Sequence, residues 1–222
     1  MARHSQSACY KGSQKWIQRL VNERQELLNL RITKESRLPE GDDITWLSPL
    51  KDDDYAEYSD EGCLRLLGVS LEKRPLTSFW PQNGPQWDAL GRSRSGKLFL
   101  VEAKSHISEL VSSIRAKDRS SVQRIRQSLE ETKDFLNSSS EVDWSFGFYQ
   151  YVNRLAHLYL LRQNQLPAYL VSVYFVNDSE MQGPTSINQW KGAIELLHSF
   201  LGIRRHKLQF MADVFIDVDD LE

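Results

Sequence analysis

Apolar positions near the start of the chain recur at helical spacing. In YKGSQKWIQRLVNERQELLNLRI they fall at Trp16, Ile17, Leu20, Val21, Leu27 and Leu28, which predicts an amphipathic helix over roughly 13–31. The stretch LPEGDDITWLSPLKDDD is rich in turn residues. DDYAEYSDEGCLRLLG reads as a short helix, with acidic residues in its first turns and Gly68 at its stop. RPLTSFWP, PQWDALGR and KLFLVEAK then read as three strands, the last two joined by SRSG.

Beyond the strands, SELVSSIRAKDRSSVQRIRQSLEETKDFL is one or two helices and FYQYVNRLAHLYLLRQNQ is another. PAYLVSVYFVND is a buried strand by its run of β-branched and aromatic residues. SINQWKGAIELLHSFLG is a helix with a glycine stop, and KLQFMADVFIDV a last strand. Consecutive strands followed by helix, strand, helix, strand predict an α/β fold: one central mixed sheet flanked by helices. A single domain over 1–222 is expected, with an N-terminal helical extension over about 1–45 and a C-terminal helix–strand extension.

Composition narrows the class. The chain has 222 residues, a formal net charge of −2 and two cysteines, Cys9 and Cys63. Two distant cysteines make neither a disulfide framework nor a zinc signature, so a reducing, cytoplasmic setting is expected. MARHSQSACYKG has no apolar core of a secretory signal, and AYLVSVYFV is too short to span a bilayer, so no membrane partner is expected. With no global basic field, a polyanionic partner must be held by local patches.

The candidate chemistry lies in LGRSRSGKLFLVEAK. Side chains alternate along a strand, so Glu102 and Lys104 share a face. A hairpin symmetric about Ser95 sets Leu90 opposite Leu100 and Asp88 opposite Glu102, with Cβ atoms about 4.5–5.5 Å apart. Opposed carboxylates repel, and a divalent cation removes that cost; hard oxygen ligands suit Mg²⁺. Lys104 is then placed to orient or deprotonate a water, or to neutralise charge developing on a phosphate. A one-residue slip would turn Asp88 to the other face. The bland alternative is a salt-bridged strand end. A second acid-x-Lys triplet, Glu131-Thr132-Lys133, sits in a polar helical stretch, where such residues form a solvated face.

GPQWDAL followed by LFLVEAK resembles the PD-(D/E)xK, restriction-endonuclease-like nuclease superfamily. The resemblance implies an αβββαβ core and a metal-dependent nuclease, with catalytic Asp88, Glu102 and Lys104. It implies metal ligation by Asp88, Glu102 and the Ala103 carbonyl, with Mg²⁺ as cofactor and Mn²⁺ as a substitute. Here Pro85 lies three residues before the aspartate rather than directly before it. Many members carry a glutamate on the helix preceding the strands; Glu57 and Glu61 are one turn apart, and Glu57 is preferred as an added metal ligand.

A polar stripe runs along the helix in YQYVNRLAHLYLL: Gln150, Asn153, Arg154 and His157, at i, i+3, i+4 and i+7. Amide, guanidinium and imidazole groups make directed hydrogen bonds, so this stripe is the candidate substrate-binding surface; the alternative is a polar seam against a helix or a dimer partner. Its place resembles the Gln-bearing helix of recombination-type exonucleases in the same superfamily, although Arg154 stands where those have a tyrosine. Arg92, Arg94 and Lys97 around the hairpin, and Arg115, Lys117, Arg119, Arg124 and Arg126 after it, are available to phosphates or are simply a solvated face. The expected partner is nucleic acid, with DNA the first expectation. The rivals are a catalytically silent binding or interaction module of the same fold, and a homodimer formed through Trp46, Phe79, Trp80 and Trp87.

Overall fold

The helix Ile187–Leu201 and the strand Ala168–Val176 lie where the apolar periodicity places them, but the N-terminal half is cut differently from its pattern. The computed structural model describes residues 3–36, 38–39, 41–204, 206 and 208–221. In chain order the elements are β1 (Arg3–His4), α1 (Gly12–Glu23), α2 (Gln25–Ser36), β2 (Ile44–Ser48), β3 (Glu57–Tyr58), α3 (Asp60–Leu67) and α4 (Leu76–Phe79). There follow β4 (Ala89–Ser93), β5 (Leu98–Lys104), α5 (Arg119–Phe135), α6 (Tyr149–Gln163), β6 (Ala168–Val176), α7 (Ile187–Leu201) and β7 (Met211–Asp217).

Five strands form one mixed sheet in the order β2-β4-β5-β6-β7. β2 pairs with β4 and β4 with β5 antiparallel; β6 is parallel to β5, and β7 to β6. The two parallel connections are spanned by helices, as parallel strands require. β1 and β3 make a separate two-stranded pair.

The sheet is covered on both faces, and β5 shows how. All seven of its residues are buried. Phe99, Val101 and Ala103 pack in a core with Trp16, Ile17, Leu20 and Leu28 of α1 and α2. Leu98 and Leu100 pack on the other face with Ile125, Leu129, Val152 and Leu155 of α5 and α6. Strict alternation therefore aims Glu102 and Lys104 at the α6 side. A strand buried on both faces reads as one apolar run, and that run ends at these two charges.

Four expectations need correction. The single helix over 13–31 is two, because Arg24 leaves helical geometry at φ −135°. The helix over DDYAEYSDEGCLRLLG is confined to α3; Glu57 precedes it in β3, where pairing with β1 extends the backbone. LTSF is helix, not strand: its residues are too few to show a period, and Pro75 caps the turn. The first strand of the antiparallel set is instead Ile44–Ser48, hidden between turn residues, so α3 and α4 fall inside that set rather than before it. Gly91 is what lets β2 lie close: a Cβ there would meet Ile44 and Trp46 carbons at 3.0 Å. Trp46, Phe79, Trp80 and Trp87 are all buried and form no exposed aromatic surface for a dimer. Among the described residues, no helix is long and apolar enough to cross a membrane.

Candidate active site

The hairpin has the register expected of symmetry about Ser95. Leu90 pairs with Leu100 and Ala89 with Val101, and Asp88 stands just before β4 beside Glu102. The Asp88 backbone N–H donates to the Val101 carbonyl at 3.1 Å, and its carboxylate accepts the Ala103 N–H at 2.7 Å. That bond fixes the aspartate against the strand that carries the other two residues.

Glu102 is gripped from two sides. Lys104 Nζ donates to Oε1 at 2.5 Å, and Arg154 Nε donates to Oε2 at 2.6 Å. Arg154 comes from α6, stacks over Trp87 at 5.0 Å and donates through Nη2 to the Gln86 carbonyl at 2.8 Å. Glu57 reaches the same place from β3: it is buried, and it accepts from Gln86 Nε2 at 2.5 Å and Gln14 Nε2 at 3.4 Å. Glu61 is exposed on α3, so of the two only Glu57 joins the cluster.

Burial and mutual repulsion divide these acids. Burial pushes the Asp88 carboxyl well above the usual range, and the charges on Glu102 and Glu57 push it further. Glu57 is raised mainly by burial, with Glu102 adding to it. Burial works against Glu102 as well, but Arg154 and Lys104 outweigh it and hold that carboxyl below its ordinary value. Lys104 is raised because Glu102 and Asp88 outweigh its desolvation.

Two neighbours went unread in the sequence. Glu109, in a 3₁₀ turn after β5, accepts the Ser105 and His106 N–H groups at 2.9 and 3.0 Å and lies 4.0 Å from Lys104. Its signal was available as a capping pattern in SHISE. Gln86 shows only as one more polar loop residue, yet it ties Glu57 to Arg154.

The cluster lies below an open cleft of about 810 Å³, whose lining includes Lys104, Glu109, Gln150, Asn153 and Arg154. Gln150 is exposed at its edge, and Asn153 is buried with its amide oxygen unpartnered. His157 does not line the cleft. It packs edge-on to Trp80 at 4.8 Å and near Phe79 and Trp87, and its Nδ1 faces the Asn153 carbonyl at 2.9 Å. Burial, helped by the nearby Arg154 charge, depresses its pKa to about 3, so it is neutral. The second triplet is structural: Glu131 pairs with Arg74 at 2.5 Å on the outside of α5.

The basic residues also separate. Lys97 pairs with Asp42 at 2.6 Å, Arg126 with Asp143 at 3.4 Å, and Arg92 and Arg124 bond the Leu67 and Thr77 carbonyls. Arg115 and Lys117 instead stand exposed on the cleft wall.

Among the described residues, no three His, Cys, Asp or Glu side chains stand close enough to be a ready-made metal site. The charge balance nevertheless suits a divalent cation. Among the described residues, Glu57, Asp88, Glu102 and Glu109 lie beside two permanent cations, Lys104 and Arg154, with His106 3.4 Å from Glu109; with all four acids ionised and His106 neutral that is an excess of two negative charges. Hard carboxylate oxygens are the donors Mg²⁺ and Mn²⁺ prefer. Comparison with protein-family models, with curated proteins and with solved structures finds no match to this chain.

Proposed function

We propose that this chain is a divalent-metal-dependent phosphodiesterase of nuclease type, acting on nucleic acid and on DNA first. The observation that carries the reading is the net-negative set of buried Glu57 and Glu102 with half-buried Asp88, beside Lys104 at the floor of an open cleft. The resemblance to PD-(D/E)xK nucleases supports it. So does the sheet, in which two antiparallel pairings lead to a parallel one reached through helices.

Asp88, Glu102 and the Ala103 carbonyl would hold the ion, with Glu57 beside them. Such an ion, when bound, stabilises charge on a phosphate and lowers the pKa of a water. Lys104 keeps its proton through its carboxylate neighbours, so it serves as a fixed positive donor at the cleft floor. Arg154 is a positioning residue: it holds Glu102 and the Gln86 loop together and rests on Trp87. Gln150 and Asn153 offer amides to the substrate.

One observation favours a second reading, a silent nuclease-fold binding module: both Glu102 oxygens are already in ion pairs. Incubation with single- and double-stranded DNA and RNA, with Mg²⁺ or Mn²⁺, beside Lys104→Ala, decides between them. Metal-dependent cutting that the variant loses is the expected result. No cutting, together with no thermal shift on adding either metal, overturns the nuclease reading in favour of the silent module.

A further inference from the structure

Both oxygens of Glu102 are taken, yet the two cations that hold it are not equally fixed. Arg154 is anchored elsewhere as well. Besides Glu102 Oε2 it donates to the Gln86 carbonyl at 2.8 Å, and it lies over the Trp87 ring. Lys104 has no second hydrogen bond among the described residues. Its Nζ donates to Glu102 Oε1 at 2.5 Å, and another carboxylate oxygen, Glu109 Oε2, lies 4.0 Å away.

Glu109 is held in place by its own contacts. It stands in the 3₁₀ turn Ile107–Leu110, directly after β5. Its Oε1 accepts the Ser105 and His106 N–H groups at 2.9 and 3.0 Å, a capping arrangement that commits this oxygen to backbone; the His106 ring nitrogen Nε2 is 3.4 Å from the same atom. Oε2 is left toward Lys104 and accepts from the Ser13 hydroxyl of α1 at 3.3 Å. A carboxylate oxygen carries two lone pairs, so Oε2 can accept one more hydrogen bond. An ammonium at 4.0 Å has to travel only about 1.2 Å to make a charged hydrogen bond of about 2.8 Å. A space of about 20 Å³, close to the volume one water needs, is lined by Glu102, Lys104, Glu109 and Arg154 and gives the lysine room to shift.

These contacts bear on how Glu102 becomes available as a ligand. An oxygen bonded to an ammonium is a poor donor to a metal. A Lys104 that simply let go would be a buried cation with one partner fewer, which is costly. Glu109 supplies the replacement partner.

We infer that Glu109 is a positioning residue: it receives Lys104 when Glu102 Oε1 turns to a divalent cation, while Arg154 keeps Oε2. This deepens the nuclease reading and rests on it.

The test is the affinity for Mn²⁺ alone, measured by titration calorimetry without nucleic acid. Melts in EDTA check that each variant is folded. Glu109→Gln keeps an oxygen for the Ser105 and His106 N–H groups, so the turn should hold, but its amide nitrogen cannot accept from Lys104. Wild type should bind the ion, and Glu109→Gln should bind it about 10–100-fold more weakly, the range for loss of an outer partner of a metal ligand. Lys104→Met removes the cation that has to be received; Lys104→Gln replaces it if the methionine variant does not fold. In that background Glu109→Gln should change the affinity by less than about two-fold. Equal weakening in both backgrounds would make Glu109 a ligand or a general negative charge, and overturns the inference. So does an unchanged affinity in Glu109→Gln alone. Either result leaves the nuclease reading standing. A wild type that does not bind Mn²⁺ sinks that reading and this inference together.

Discussion

Replacing Arg154 by methionine keeps the apolar stem over Trp87 and removes only the guanidinium. The structure sets the size of the effect. Arg154 is 6% exposed, and its departure strips one of two cationic partners from buried Glu102 and frees the Gln86 carbonyl. Breaking a buried pair from one side costs about 3–5 kcal/mol, because the remaining charge is left uncompensated. At about 2–4 °C per kcal/mol for a chain of this size, the melting temperature should fall by about 6–20 °C near neutral pH.

The pH dependence separates charge from packing. Glu102 is held below its ordinary value of 4.5 in the folded protein. Its contribution is therefore complete above that value and lost as pH falls through the lower folded one. In Arg154→Met that contribution shrinks and burial makes the ionised form costly. The gap between wild type and variant should thus be widest near pH 8 and narrow toward about pH 4. Thermal melts followed by intrinsic tryptophan fluorescence across that range measure it. A gap of constant size would show that Arg154 acts by packing and would refute the electrostatic account of the cluster.

Other substitutions probe the same architecture. Asp88→Asn keeps an acceptor for the Ala103 N–H but removes a carboxylate raised by burial and by its neighbours; the penalty of its charge is present at high pH and absent once it is protonated. The variant should therefore melt higher than wild type near pH 8, match it in acid, and lose any stabilisation by Mg²⁺, all readable in one set of melts. Gly91→Ala should destabilise by about 1–3 kcal/mol in urea unfolding, since the new methyl meets Ile44 and Trp46. Trp16→Phe strands a buried Asp178 oxygen that now accepts the indole N–H at 2.8 Å, and should cost about 1–3 kcal/mol in the same assay without changing the m-value.

How much of this was legible depended on periodicity. The β4–β5 register could be read because a short turn fixes it and alternation carries it to Asp88 and Glu102. α6 could be read because polar groups on an apolar helix stand out, and Arg154 is where that stripe meets the strand. The stripe misled at its far end: seven residues along a helix is about 10.5 Å, which carries His157 past the cleft and into the aromatic residues beyond it. β2 and α4 were illegible because five and four residues give no period, and their type was set by what they pack against. Glu57 was picked for position on a helix that does not exist there; it reaches the cluster because β3 pairs with β1.

The floor of the cleft belongs to β5, a strand bonded on both edges, whereas both walls are loops hung from the sheet's rim. Changes in the wall loops therefore leave the floor's backbone ladder untouched. A lineage, or an engineer, could lengthen the 81–86 loop or re-letter 111–118 to alter what is admitted while the buried charges keep their spacing. The exception is Gln86, which ties one wall to Arg154 and Glu57. It is the position at which a change of clientele would be felt in the chemistry.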